Sequence, residues 1–216
     1  NISTIEKIDS QKIFKIYDNW PKIAEESFNS NTKNEDFNNI NHIVFVGMGG
    51  SGTVGDIFES ILSKKKIHVN VVKGYLLPKT VDHNTLVVVV SVSGNTAETL
   101  SVLKSAKKLE SKIIAFCSGG KMKEYCDENN IKYRIVPKFH SPRATLPSYL
   151  YTILKVLHKT LKIKEDDIHE SIKEIKKLSN KINISNLKNK NTLLNLANWI
   201  KTIPVIYYPL GLQSVA

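Results

Sequence analysis

The sequence predicts an α/β protein, a three-layer sandwich around a five-stranded parallel sheet. Three observations predict it. Thr85 to Val90 (TLVVVV) is the most apolar run of the chain. Near-continuous valines are what a strand buried on both faces needs, the usual condition of a parallel sheet. Around it, strand-sized apolar runs alternate with segments of helical periodicity, joined by short loops, which is the pattern of a sheet covered by helices on both faces. The third observation is Ile43 to Asp56 (IVFVGMGGSGTVGD), a strand stopped by a glycine cluster and followed by a helix. That sequence of elements offers free backbone N–H groups and a helix N-terminus to an anion.

In chain order, Ile13, Phe14, Tyr17 and Trp20 predict a short helix. Pro21 opens a second, which carries Ile23, Ala24 and Phe28. The asparagine-rich stretch 29–41 reads as a solvated loop. Ile43–Val46 is the first strand, and Ser51–Lys64 a helix with Val54, Ile57, Phe58, Ile61 and Leu62 at helical spacing. Ile67–Lys73 reads as a second strand, Thr85–Val90 as the third and Thr96–Leu109 as a helix. Lys112–Phe116 reads as the fourth strand, Lys121–Asn129 as a helix and Lys132–Val136 as the fifth. After Pro137 the character changes. Pro147 starts a helix through Leu157, and Ile168, Ile172, Ile175, Leu178 and Ile182 mark an amphipathic one. Leu193–Ile200 is a third, and Ile203–Tyr208 (IPVIYY) reads as a strand. The boundary falls near residue 150. Residues 1–150 form the first domain with its N-terminal helices, and 151–216 form a helical connector that leads into a second, similar domain.

Composition narrows the function. The 216 residues are 41% hydrophobic and 24% charged, ordinary for a globular protein. The longest apolar run, Leu86 to Val90, is strand-sized, so no membrane span is expected. The first residues carry no signal-peptide core, and a cytoplasmic protein is expected. The net charge of +11 invites a nucleic-acid reading. Against it, the lysines are scattered, and no basic helix interleaves aromatics with positive charge. Cys117 and Cys126 are too few for a metal site and read as reduced, structural thiols.

Three segments carry chemistry. Gly47 to Gly52 (GMGGSG) satisfies G-x-G-x-x-G, so a dinucleotide site has to be weighed. That reading needs an acidic residue after the second strand, where this chain has Val72-Lys73-Gly74. Ser91 to Thr99 (SVSGNTAET) follows the valine strand and brings the hydroxyls of Ser91, Ser93 and Thr96 to another helix N-terminus. Neutral donors at a positive helix end suit a phosphate monoester. The competing reading is a capping box, Asn95 capping the helix and Glu98 reaching back. In Ser141 to Pro147 (SPRATLP), Arg143 stands between two prolines in a chain whose only other arginine is Arg134. A planar guanidinium at such a place can hold a carboxylate, phosphate or enediolate oxygen in a fixed geometry. His140 reads as a loop residue.

GMGGSGTVGD, SVSGNTAET and PRATLP, in that order and spacing, resemble the sugar isomerase (SIS) domain. Within it they resemble the archaeal-type bifunctional phosphoglucose/phosphomannose isomerases. The resemblance implies that Gly49, Gly50 and Ser51 contact a sugar phosphate, and that Ser91, Ser93 and Thr96 bind its phosphate group. It gives Arg143 the catalytic role of stabilising the charge of a cis-enediol intermediate. It implies interconversion of glucose 6-phosphate, mannose 6-phosphate and fructose 6-phosphate with no metal or other cofactor, in a homodimer of two-domain subunits. The glutamate, histidine and lysine that this family uses lie beyond Ala216, so the resemblance implies a chain without its general base and inactive by itself. Two alternatives stand beside it. One is a non-catalytic SIS module that senses a sugar phosphate, although residues 1–40 offer no recognition helix. The other is a dinucleotide-dependent oxidoreductase, which Lys73 argues against.

Overall fold

A computed structural model describes residues 2–187 and 191–208. Five strands, β1 (His42–Val46), β2 (His68–Val72), β3 (Thr85–Ser91), β4 (Lys112–Cys117) and β5 (Lys132–Ile135), form one parallel sheet in the order β2-β1-β3-β4-β5. The helices are α1 (Ile2–Ile8), α2 (Ile13–Asp18), α3 (Trp20–Phe28), α4 (Gly50–Leu62), α5 (Ala97–Lys108) and α6 (Gly120–Glu128). They continue with α7 (Leu146–Leu157), α8 (Glu165–Ile182) and α9 (Thr192–Trp199). The predicted three-layer α/β sandwich is the observed fold.

The alternation of side chains along each strand divides the core. Ile43 and Phe45 of β1, with Leu86, Val88 and Val90 of β3, pack with α3, α4, α7 and α8 on one face. Val44 and Val46, with Val87 and Val89, pack with α5 and α6 on the other. Every residue of β3 is buried, as a central strand between two helical layers must be. Phe45 and Phe58 stack with ring centroids 4.9 Å apart and tie β1 to α4.

The topology positions the site. From β1 the chain steps outward to β2, then returns past β1 to β3 and proceeds the opposite way. The winding therefore reverses between β1 and β3. At such a switch point the loops leaving the two carboxyl ends diverge and open a crevice, where doubly wound sheets bind ligands.

Two sequence expectations are corrected, and one helix is added. Helix α1 was not foreseen; it buries none of its residues, so it leaves no amphipathic signal to read. Residues 203–208 form no strand: they are exposed and pair with nothing in the sheet. Apolar β-branched residues mark a strand only when a neighbouring strand covers them. Gly211 and the other residues after Tyr208 lie outside the described residues. The capping box is also absent. Thr96 is the N-cap of α5, with no side-chain cap bond. The Asn95 amide donates to the Ser93 carbonyl at 3.1 Å and accepts the Lys121 N–H at 3.1 Å, joining the β3–α5 turn to the head of α6. Among the described residues, no helix is long and apolar enough to cross a membrane.

Candidate functional site

A cavity of about 300 Å³ opens at the switch point. Its floor comes from two turns. Met48 belongs to the glycine turn between β1 and α4, and Ser51 to the first turn of α4; Val92, Ser93 and Thr96 belong to the turn between β3 and α5. The facing wall is the segment from Lys138 to Pro142, which leaves β5 for α7.

Local chemistry explains why the chain folds this way here. The glycine turn is anchored to the sheet by the Gly47 N–H, which donates to the Val72 carbonyl at 3.1 Å. Gly49 is the N-cap of α4. A Cβ on Gly50 would stand 3.2 Å from Pro142 Cβ, so this glycine lets the proline-arginine loop close over the head of α4. Ser51 is buried, and its Oγ accepts the Val92 N–H at 3.4 Å, a link between the two turns. The second turn bends at Gly94, whose φ of 68° suits glycine. A Cβ there would fall 1.8 Å from the Gly119 carbonyl oxygen.

Within the turn the hydroxyls divide their roles. Ser91 is 1% exposed; its Oγ accepts the Gly94 N–H at 3.1 Å and lies 3.2 Å from Thr96 Oγ1. It holds the turn from beneath and does not line the cavity. Ser93 is exposed to the cavity, and its Oγ accepts the Asn95 N–H at 3.2 Å, so its own proton stays available to donate.

The facing wall is held by residues with no site role foreseen in the sequence. Thr145, fully buried, accepts the Phe139 N–H at 3.1 Å and donates to the Ser141 carbonyl at 2.7 Å. Trp20 of α3 donates its indole N–H to the Ala144 carbonyl at 3.1 Å. Val136 prolongs β5 by donating its N–H to the Cys117 carbonyl at 2.8 Å, which sets the height at which the chain departs. His140 lines the cavity, and its ring bonds Gln11 ahead of α2. No sequence pattern announced Lys138, Phe139 or His140 as site residues, because it is the return of the chain over the sheet edge that brings them there.

The predicted site residues are therefore partly assembled. Ser51, Ser93 and Thr96 share the cavity. Gly49 and Gly50 form the head of α4 beside it, and Ser91 lies under it. Arg143 is exposed at the rim: its backbone N lies 3.7 Å from the Cβ position of Gly50, but its guanidinium bonds no described residue and does not line the cavity. The other arginine, Arg134, is bound to Glu35 at 2.5 Å and to two backbone carbonyls. Lys73, at the position where a dinucleotide site needs an acid, pairs with Asp56 of α4 at 2.5 Å.

The electrostatics favour an anion. Helices α4 and α5 direct their N-termini to the cavity edge, where their partial positive charge and unpaired N–H groups add to the hydroxyls. Lys138 contributes a full charge, and among the described residues no Asp or Glu lines the cavity. Cys117 and Cys126 are free and buried; burial pushes both thiols up, Cys126 to about 12, so they are inert at neutral pH. Among the described residues, no His, Cys, Asp and Glu group could hold a metal ion.

A parallel sheet of this order, with two helix-heading turns meeting at its switch point, defines a doubly wound α/β domain. The chain belongs to the SIS domain family, whose profile matches residues 36–151. It is 38% identical over 191 residues to a bifunctional phosphoglucose/phosphomannose isomerase of Caldicellulosiruptor bescii, covering 86% of this chain and 55% of that relative. It is 35% identical over 178 residues to the protein of the same name in Thermoplasma acidophilum, covering 81% of this chain and 52% of that one. Among solved structures, a hypothetical protein of Thermus thermophilus superposes with a TM-score of 0.62 at 16% identity, over 90% of this chain and 50% of that one, a likeness of fold. The chain spans about half the length of the curated relatives it matches.

Proposed function

We propose that this chain is the phosphate-binding part of an aldose–ketose isomerase. The reaction interconverts glucose 6-phosphate and mannose 6-phosphate with fructose 6-phosphate through a cis-enediol. The observation that carries the reading is the meeting of Ser51, Ser93 and Thr96 in one cavity at the switch point, free of carboxylates and flanked by two helix N-termini. Two relatives that bear the isomerase name support the hexose phosphate substrate. In this reading the phosphate sits on the Ser93–Thr96 turn with Ser51 beside it, and Gly49 and Gly50 let the ligand approach the head of α4. Arg143 turns inward from the rim to meet the C1–C2 end, where its charge stabilises negative charge that develops only as the proton leaves. Ser91 holds the turn. Residues 1–150 form the first SIS domain and 151–216 lead out of it, within a homodimeric enzyme.

Proton transfer between C1 and C2 needs a base, and among the described residues the cavity lining holds no carboxylate. A polypeptide of these 216 residues is therefore expected to bind the sugar phosphate without isomerising it; turnover in a coupled assay would contradict this. Binding itself is read by amide shifts in a 15N-labelled sample titrated with fructose 6-phosphate. Shifts confined to Gly49–Gly52 and Ser93–Ala97 are the expected result. Shifts elsewhere, with these amides unmoved, would overturn the assignment.

A further inference from the structure

Every donor that the two turns present to the cavity is neutral: hydroxyls of Ser51, Ser93 and Thr96, and backbone N–H groups. A phosphate monoester carries between one and two negative charges near neutral pH. Taking such a group out of water with no cation opposite is costly, whereas a charged donor shortens and strengthens the bonds it makes. The wall facing the turns brings one cation, the ammonium of Lys138.

Several other cations on or beside the sheet are committed. Lys73 is held by Asp56, Lys132 and Arg134 by Glu35, and Lys123 by Asp127. Lys138 is exposed, lines the cavity, and makes no hydrogen bond or ion pair with any described residue. Its place follows from the fold. Val136 is tied to the end of β4, the neighbour of β3, so the chain two residues later rises across from the turn that β3 feeds. A lysine stem is long enough to lean from that wall toward the Ser93–Thr96 turn, and no carboxylate in the lining competes for it.

We propose that Lys138 is the charge-bearing ligand of the phosphate group in this cavity, opposite the neutral donors of the serine turn. The proposal rests on the sugar-phosphate reading above and adds to it a residue that none of the three sequence motifs contains. It makes the site selective for the anionic ester over the free sugar, and it makes binding sensitive to salt, because an exposed ion pair is screened.

The test compares wild type, Lys138→Met and Lys138→Arg by calorimetric titration with fructose 6-phosphate, at low and at high salt. Ser93→Ala serves as the control for the turn. Met should weaken binding about tenfold, the size of one lost charge-assisted bond, and should flatten the salt dependence. Arg should restore most of both. Because Lys138 is exposed, the thermal midpoints should match and exclude misfolding. Lys138→Met binding like wild type, while Ser93→Ala binds poorly, would overturn the role of Lys138 and leave the phosphate site standing. A loss in Met that salt does not modulate and Arg does not restore would overturn it too. If wild type binds inorganic phosphate but not the sugar ester, the isomerase reading falls while Lys138 is still tested on phosphate. If wild type binds neither, both readings fall together.

Discussion

Ser91 and Ser93 stand two positions apart on the same turn and do different things. Ser93 faces the cavity with a hydroxyl proton to give. Ser93→Ala should weaken fructose 6-phosphate binding about tenfold with the thermal midpoint unchanged, since it removes one bond to a charged acceptor. Ser91 is buried under the turn and accepts the Gly94 N–H. Ser91→Ala removes that bond and the contact with Thr96 Oγ1, but the Ser91 carbonyl still accepts the Gly94 N–H at 3.1 Å. The loss should be about 1 kcal/mol of stability, read by urea unfolding, and binding should weaken only through the turn's looseness. The sequence shows both as hydroxyls at a helix N-terminus and makes both phosphate ligands; which one is buried depends on the register of β3 against β4, where Ser91 sits opposite Cys117. Arg143 shows the same limit. Its isolation between prolines marks it in the sequence, and its unpaired guanidinium agrees with a group kept for a ligand. The loop that carries it to the rim is shaped by Thr145, inside the same motif, and by Trp20, at a distance in sequence that no motif spans.

At the scale of elements, apolar patterning was sufficient where burial is the cause of structure. All five strands and the helices α2 to α9 are legible, with ends that differ from expectation by a residue or two. Phe45 on β1 and Phe58 on α4, both fully buried and stacked, join the strand that carries the glycine turn to the helix that follows it. Phe45→Ala should cost about 3–5 kcal/mol, measured by urea unfolding, through lost burial and the cavity left behind. Where polar contacts decide, the pattern was silent. The loop 29–41 is solvated in composition, yet Glu35 fixes it to β5 through Lys132 and Arg134, each at 2.5 Å. Burial pushes the Glu35 carboxyl up, but its bonds to those two cations outweigh burial and hold it below the ordinary carboxylate range. A carboxyl depressed in the folded state stabilises above its unfolded pKa and ceases to do so as pH falls through the folded one. Glu35→Gln should therefore lower the thermal midpoint at neutral pH, and the gap from wild type should close in acid, below a pH of about 4. An equal gap at all pH values would contradict the ion-pair account.

For the whole molecule, a G-x-G-x-x-G turn and a doubly wound sheet are shared by dinucleotide enzymes and by this family, so fold and motif alone do not separate them. The end of β2 does. Lys73 occupies the position of the ribose-binding acid, its stem runs 3.1 Å from where a Cβ on Gly52 would stand, and Asp56 holds its ammonium. The carboxylate present there, Asp56, is committed to the Lys73 ammonium and not free for ribose hydroxyls, and NADH is expected not to bind. The sequence revealed this half of the argument, since the missing acid is a local fact. The other half, the cavity wall from Lys138 to Pro142, needed the fold. The central claim is that two turns at one switch point make a sugar-phosphate site, and the most direct measurement is calorimetric titration of the wild-type chain with fructose 6-phosphate, with NADH in parallel. The account predicts saturable binding of the sugar phosphate, weakened by Ser93→Ala, and no heat from NADH. Heat from NADH with none from fructose 6-phosphate would contradict it.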